Sequence, residues 1–220
     1  MIGLIELHAR RLLSRPSRYR YLYDIILRHR CRRIAEIGVW NGRQAASMIR
    51  AAAALHPRYE ILYHGFDLFE ALTDDDLKDE LSKRPPSEAE VAGLLTRTGV
   101  EFHLHAGYTQ DTLKAYAEER EQRDQLDFVF LDGGHAIETI TSDWHWVSQI
   151  MTPHTVVLFD DYYHNPAEEV PGLGCQTLID QLDRKEYDVE VLPIVNSFPK
   201  DSGALHVGMA KVVPRAKRTG

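Results

Sequence analysis

Only two cysteines, Cys31 and Cys175, occur in 220 residues, too few for a disulfide framework and at no spacing that zinc uses. A reducing, cytoplasmic setting with both thiols buried and structural is the expectation. No apolar run approaches the roughly 20 residues of a membrane helix, so no membrane partner is expected. Basic charge is short as well. The formal net charge is −7, whereas a chain built to meet nucleic acid needs a basic surface for phosphate. Internal repeats and low-complexity tracts are missing, and so is the Gly-x-Gly-x-x-Gly spacing of nicotinamide and flavin sites. With 44% hydrophobic and 27% charged residues, the length suits one α/β domain and is short for two.

Two stretches dominate what is there: Asp127-Phe-Val-Phe-Leu-Asp132-Gly-Gly-His135, and Val156-Val-Leu-Phe-Asp160-Asp161. Each is a short apolar run that ends in carboxylates, as a buried parallel strand does when it delivers polar groups to the rim of an open sheet. If the two strands are neighbours, Asp132, Asp160, Asp161 and His135 converge on one volume, and the carboxylates repel one another unless a cation joins them. A hard divalent ion such as Mg²⁺ is the simplest neutraliser, since it prefers oxygen ligands. For Gly133-Gly134-His135 the plainer alternative is a tight turn whose histidine caps the next helix.

The first 33 residues hold nine arginines against Glu6 and Asp24. Apolar residues at 2, 4, 5, 12 and 13, then at 21, 22 and 25–27, predict two helices broken near Pro16. This arm of residues 1–30 covers one side of the sheet or the site's mouth, or serves a dimer contact; a transit peptide is the alternative. Strands follow at 33–37, 60–66, 100–105, 126–131, 155–159, 189–194 and 204–211. After the first, Glu36-Ile-Gly38-Val-Trp40-Asn41-Gly42 makes a glycine turn into an alanine-rich helix, bringing backbone close to a ligand. Asp67 tips the second strand, placed to accept from ribose hydroxyls, with a helix N-cap as the alternative. Residues 73–99 form an acidic insertion, read as short solvated helices around Pro85-Pro86. His103 and His105 share a face of an expected edge strand and are read as surface residues. The loop at 162–174, with His164, lies over the sheet edge; residues 195–203 make a hairpin-like return; 214–220 form a basic tail.

In this order the elements resemble a class I S-adenosylmethionine-dependent methyltransferase across residues 31–213. The carriers are the Glu36 to Gly42 turn, similar to that family's E-x-G-x-x-x-G; Gly65-Phe-Asp67-Leu68 at the second strand tip; and Gly107-Tyr108 after the third. The resemblance implies a Rossmann-like, seven-stranded α/β sheet, mostly parallel with an antiparallel C-terminal strand and helices on both faces. It also implies a donor site built from Glu36, Gly38, Trp40, Asn41, Gly42, Asp67, Leu68, Gly107, Tyr108 and Asp132. Asp-x-x-His followed by an acidic pair is similar to metal-dependent O-methyltransferases acting on natural-product sugars. That likeness implies Mg²⁺ on Asp132, Asp160 and Asp161, His135 as base, and a small-molecule hydroxyl acceptor, and it leaves a homodimer open. Two rival readings stand beside it: a metal-dependent hydrolase or oxygenase component, and a donor-binding protein without turnover.

Overall fold

The computed structural model describes residues 4–79, 84–119, 125–165, 172–200 and 203–216. Parts of five expected segments fall outside these residues: the arm at 1–3, the insertion at 80–83, the loop at 166–171, the return at 201–202 and the tail at 217–220.

Eight strands form one sheet in the order β3-β2-β1-β4-β5-β8-β6, with β7 paired to β8. β1 (Arg33–Ile37), β2 (Leu62–Asp67), β3 (Glu101–Ala106), β4 (Phe128–Leu131) and β5 (Val156–Tyr163) are parallel neighbours. β8 (Gly203–Pro214) runs antiparallel between β5 and β6 (Tyr187–Val191). The chain leaves β1 toward β2 and later returns to β4 on the other side. This reversal opens a crevice at the carboxyl ends of β1 and β4, where open α/β sheets bind ligands.

β4 and the first half of β5 are apolar without interruption because both faces of the sheet are covered there. Alternation sends Ile34, Phe128, Phe130 and Leu158 to one core, shared with α2 (Arg20–His29), α3 (Arg43–Ala53) and α5 (Glu88–Thr96). Ile37, Val129, Leu131 and Phe159 go to the other, under α6 (Thr109–Glu119), α7 (Ile137–Ile150) and α8 (Gln176–Gln181). Each fully buried Phe, Leu or Ile contributes roughly 1.5–3 kcal/mol. The N-terminal arm belongs to the first core: Leu7 of α1 (Leu4–Leu12) and Leu22 and Ile26 of α2 are buried there. Cys31 and Cys175 are both buried and free.

The structure corrects the sequence reading in three places. An eighth strand, β7 (Asn196–Lys200), lies inside the segment read as a return, pairs among the described residues with β8 alone and tolerates Pro199 because it is an edge. In the insertion, α4 (Asp74–Asp79) precedes α5, and α5 is docked rather than solvated: a Ser87–Glu90 capping box starts it and Val91 and Leu95 are buried. β5 does not stop at Phe159 but continues through Asp160 and Asp161 to Tyr163. Among the described residues no helix is long and apolar enough to cross a membrane.

Candidate active site

The glycine turn after β1 and the turn after β4 touch backbone to backbone. The Gly38 N–H donates to the Phe66 carbonyl at 2.9 Å, and the Asp132 N–H donates to the Ile37 carbonyl at 2.8 Å. Gly38 has φ +89°, and a Cβ there would lie 2.1 Å from the Asp132 carbonyl oxygen, so only glycine fits. Asp67 fastens the turn from β2: its Oδ2 accepts from the Trp40 N–H at 2.7 Å and its Oδ1 from the Phe69 N–H at 2.9 Å. The second bond closes an Asx-type turn that leads into the short turn Phe69–Ala71, whose N-cap is Leu68, so Asp67 is not the helix N-cap of the alternative reading. A carboxylate carries about four lone-pair sites, which leaves room for ribose hydroxyls.

These turns enclose a cavity of about 650 Å³, within the size range of small-molecule sites. Glu36, Gly38, Trp40, Asn41, Asp67, Leu68, Gly107, Tyr108, Asp132 and His135 line it. Gly42 does not: at φ +70° it turns the chain into α3, facing Val91 and Leu94. The sequence reading missed Arg15, Pro16 and Tyr19, which the arm contributes to the lining. Glu36 is fully buried; its Oε2 accepts from the Tyr63 hydroxyl, and Oε1 has no partner among the described residues. Burial pushes its carboxyl up to about 8, against the Tyr63 bond, which favours the charged form. A buried carboxyl with a lone oxygen in a cleft of this volume suits a donor that carries a cationic amino group and a nucleoside.

Beside this cavity, β4 and β5 build the acidic centre. Successive residues of a strand face opposite sides, so Asp160 and Asp161 would normally point apart. A β-bulge prevents this. The register with β8 shifts between Phe159 and Tyr162, and Asp161 takes φ +54°, a left-handed conformation aspartate tolerates. Ligand oxygens of Asp132, Asp160 and Asp161 consequently lie within 4.8 Å of one another. They line a niche of about 10 Å³ together with Asp143 and Cys175, roughly the space of one water or small ion. The oxygen donors and the niche suit a hard divalent cation.

Protein groups already engage this centre. Arg18 grips Asp160 with Nε to Oδ1 at 2.5 Å and Nη2 to Oδ2 at 2.8 Å, and its Nη2 stands 3.8 Å from Asp161. The Tyr19 hydroxyl donates to Asp132 Oδ2 at 3.1 Å. His135 Nε2 meets Asp161 Oδ2 at 2.9 Å. His135 does not cap α7, whose N-cap is Ala136. Burial raises Asp132 well above the usual carboxylate range, and the charges of Asp160 and Asp161 add to it. Asp160 is raised by burial and by Asp161, with Arg18 opposing. For Asp161, burial is outweighed by the His135 hydrogen bond and by the charges of His135 and Arg18, and its carboxyl is held low.

Arg18 and Asp143 were absent from the sequence reading. Asp143 had a signal, since it interrupts the buried stripe of Ile140, Trp144, Val147 and Ile150 on α7. Arg18 had none among nine arginines. His164 lies outside both cavities, packed over Gly208 and against Tyr162. His103 is exposed on the edge strand, whereas His105 turns partly inward to His64, Nε2 to Nδ1 at 3.1 Å.

A sequence profile of the methyltransferase domain matches residues 35–162, β1 through the acidic pair. No curated protein matches the chain in sequence. Among solved structures the chain is similar to the O-methyltransferase TomG of Streptomyces achromogenes, involved in tomaymycin synthesis and solved with S-adenosylmethionine. Identity is 19% and the TM-score 0.64, over 93% of this chain and 82% of that one. It is also similar to an O-methyltransferase of Bacillus cereus in complex with S-adenosylhomocysteine, at 15% identity and TM-score 0.57, over 96% and 88% of the two chains. The profile spans more than half of the sequence and the shared fold nearly all of it: the chain belongs to the methyltransferase-domain family and is a class I S-adenosylmethionine-dependent methyltransferase.

Proposed function

We propose that this enzyme transfers the methyl group to a hydroxyl of a small molecule, with His135 as the base and a divalent cation, Mg²⁺ by preference, held by Asp132, Asp160 and Asp161. The observation that carries this reading is the meeting of the donor-sized cavity with the acidic niche at Asp132, where His135 also lines the cavity. When bound, the donor supplies a methyl already activated on sulfonium and the cation acidifies a coordinated hydroxyl. The chain's residues do the rest. Gly38 lets the loop backbone approach, Asp67 sets the Trp40 turn and faces the ribose, and Glu36 faces the amino group. Asp161 holds one ring nitrogen of His135, so the other carries the lone pair a base needs.

Isothermal titration with S-adenosylmethionine with and without Mg²⁺, followed by turnover on catechols, sugar diols and isolated phenols, tests this. Methylation of a vicinal diol or catechol that stops in EDTA and returns with Mg²⁺ is the expected result. Full activity in EDTA removes the metal, and donor binding without transfer to any hydroxyl removes the O-methyl reading.

A further expected result concerns Glu36. Its carboxyl, pushed up to about 8, is mostly protonated at neutral pH, and a cationic group docking beside it lowers that pKa again. Donor binding at pH 7 therefore releases a proton, and affinity rises with pH toward 8 by up to about tenfold per unit. Calorimetry in buffers of different ionisation enthalpy reads the proton directly. Glu36→Gln should abolish the buffer dependence; a dependence that persists places the proton elsewhere.

A further inference from the structure

Among the described residues Arg18 is the one buried arginine, 5% exposed, and it reaches Asp160 across 142 positions of sequence. Its place is built. Its backbone N–H donates to Asn196 Oδ1 at 3.1 Å, Asn196 Nδ2 donates to Ser17 Oγ at 3.0 Å, and the guanidinium lies over the rings of Tyr19 and Phe198 at 5.2 and 5.8 Å. Yet the guanidinium is incompletely satisfied, because Nη1 is buried with no partner among the described residues. Tyr19, the next residue, does two things: its hydroxyl holds Asp132 and its side chain lines the donor cavity. One short turn, Ser17–Tyr19, thus places a cation and a hydroxyl on two of the three carboxylates and forms part of the cavity wall.

We propose that Arg18 is the resident counter-ion of the acidic centre and competes with a divalent cation for Asp160, so that metal loading and the seating of the Ser17–Tyr19 turn oppose each other. The proposal rests on the metal reading given above. Its physical basis is charge. A guanidinium at hydrogen-bond distance from a ligand carboxylate repels a second cation on that carboxylate, and at low dielectric this repulsion is steep with distance. The Arg18 fork engages both Asp160 oxygens, so a metal must share them or displace it. Displacement carries the turn with it, and with the turn go Tyr19 and its contacts to Asp132 and the cavity.

The test is Mn²⁺ affinity without donor, read by water-proton relaxation or calorimetry, for the wild type, Arg18→Gln and Asn196→Ala. Arg18→Gln removes the competing charge and should bind Mn²⁺ about ten- to hundredfold more tightly than wild type. Asn196→Ala leaves every charge in place, releases the turn from β7 and should bind more tightly by a smaller factor. It keeps the test open if the first variant does not fold. Equal or weaker Mn²⁺ binding in the variants overturns the competition while the metal site stands, and makes Arg18 a residue that orients Asp160 for the metal. Absence of Mn²⁺ binding in all three proteins removes the metal reading and the competition with it.

Discussion

His135→Ala is expected to lower kcat by about 10²–10⁴-fold, the range a positioned base contributes, while the donor dissociation constant stays within about threefold of wild type. The asymmetry follows from where the ring stands. His135 follows the Gly133-Gly134 turn after β4, lines the cavity and meets Asp161 on the β5 bulge at 2.9 Å. The backbone around it is fixed independently of the ring, since the His135 carbonyl accepts from the Gly174 N–H at 2.8 Å. Truncation should leave the turn in place and take away the group that receives the acceptor's proton. The rate of the variant should also lose the fall at low pH that a protonated base imposes. Asp161→Asn supplies the companion measurement: an amide neither fixes the tautomer nor holds a divalent cation as a carboxylate does, so turnover and Mg²⁺ affinity should fall together. A His135→Ala enzyme with wild-type turnover and pH profile would remove the base from the mechanism.

How much of this arrangement the sequence discloses depends on whether the deciding contacts are local. β4 and β5 are legible because helices cover both faces of the sheet, so their residues are apolar without interruption until the polar rim. The Glu36 to Gly42 turn is legible because a φ near +90° beside another backbone admits only glycine. β7 is not, since Asn-Ser-Phe-Pro-Lys carries no period-two pattern and owes its strand geometry to pairing with the long β8. α5 misleads in the other direction. Charged neighbours suggest a solvated helix, but Val91 and Leu95, one turn apart, suffice to dock it beside α3.

The site divides along the same line. Strand-end carboxylates and the glycines announce themselves by type and position. That Asp160 and Asp161 face one niche does not follow from their adjacency, because a regular strand would set them on opposite faces; the bulge against β8 makes it so. Nor does any pattern single out Arg18. Its partner is chosen by the way the arm crosses the end of the sheet, held by Asn196 of a strand that the sequence does not reveal. The expectation that a cation must accompany three carboxylates is sound physics. Sequence cannot tell that the chain itself brings one of them.

Gly38→Ala should be the most damaging single-atom-scale change in the protein, and its effect should separate from those at neighbouring glycines. The added Cβ would stand 2.1 Å from the Asp132 carbonyl oxygen, 2.5 Å from its carbon and 2.6 Å from Gly133 Cα. All three are backbone atoms, so no side chain can rotate to make room. Nor can the two turns drift apart freely, because the Gly38 N–H bond to Phe66 and the Asp132 N–H bond to Ile37 fix their spacing. Backbone strain at positive φ and overpacking each cost about 1–3 kcal/mol. Together they should lower Tm by roughly 5–20 °C for a chain of this size. Because the displaced atoms belong to Asp132 and Gly133, which border both cavities, donor and metal affinity should fall together. Gly133→Ala is the control: its Cβ would meet the Ile37 Cγ2 at 3.1 Å, a side-chain contact that small adjustments relieve, and Tm should move by less than about 5 °C. At Gly42 the positive φ is strained and an added Cβ would press on the side chains of Val91 and Leu94 at 3.1 and 3.3 Å, so Gly42→Ala should cost about 1–3 kcal/mol of stability and leave the donor affinity of the folded protein nearly unchanged. Thermal melts paired with donor titrations of the three variants read the whole pattern. Equal damage at all three positions would mean that general loop stiffness, rather than the close passage of Gly38 over Asp132, holds the site together.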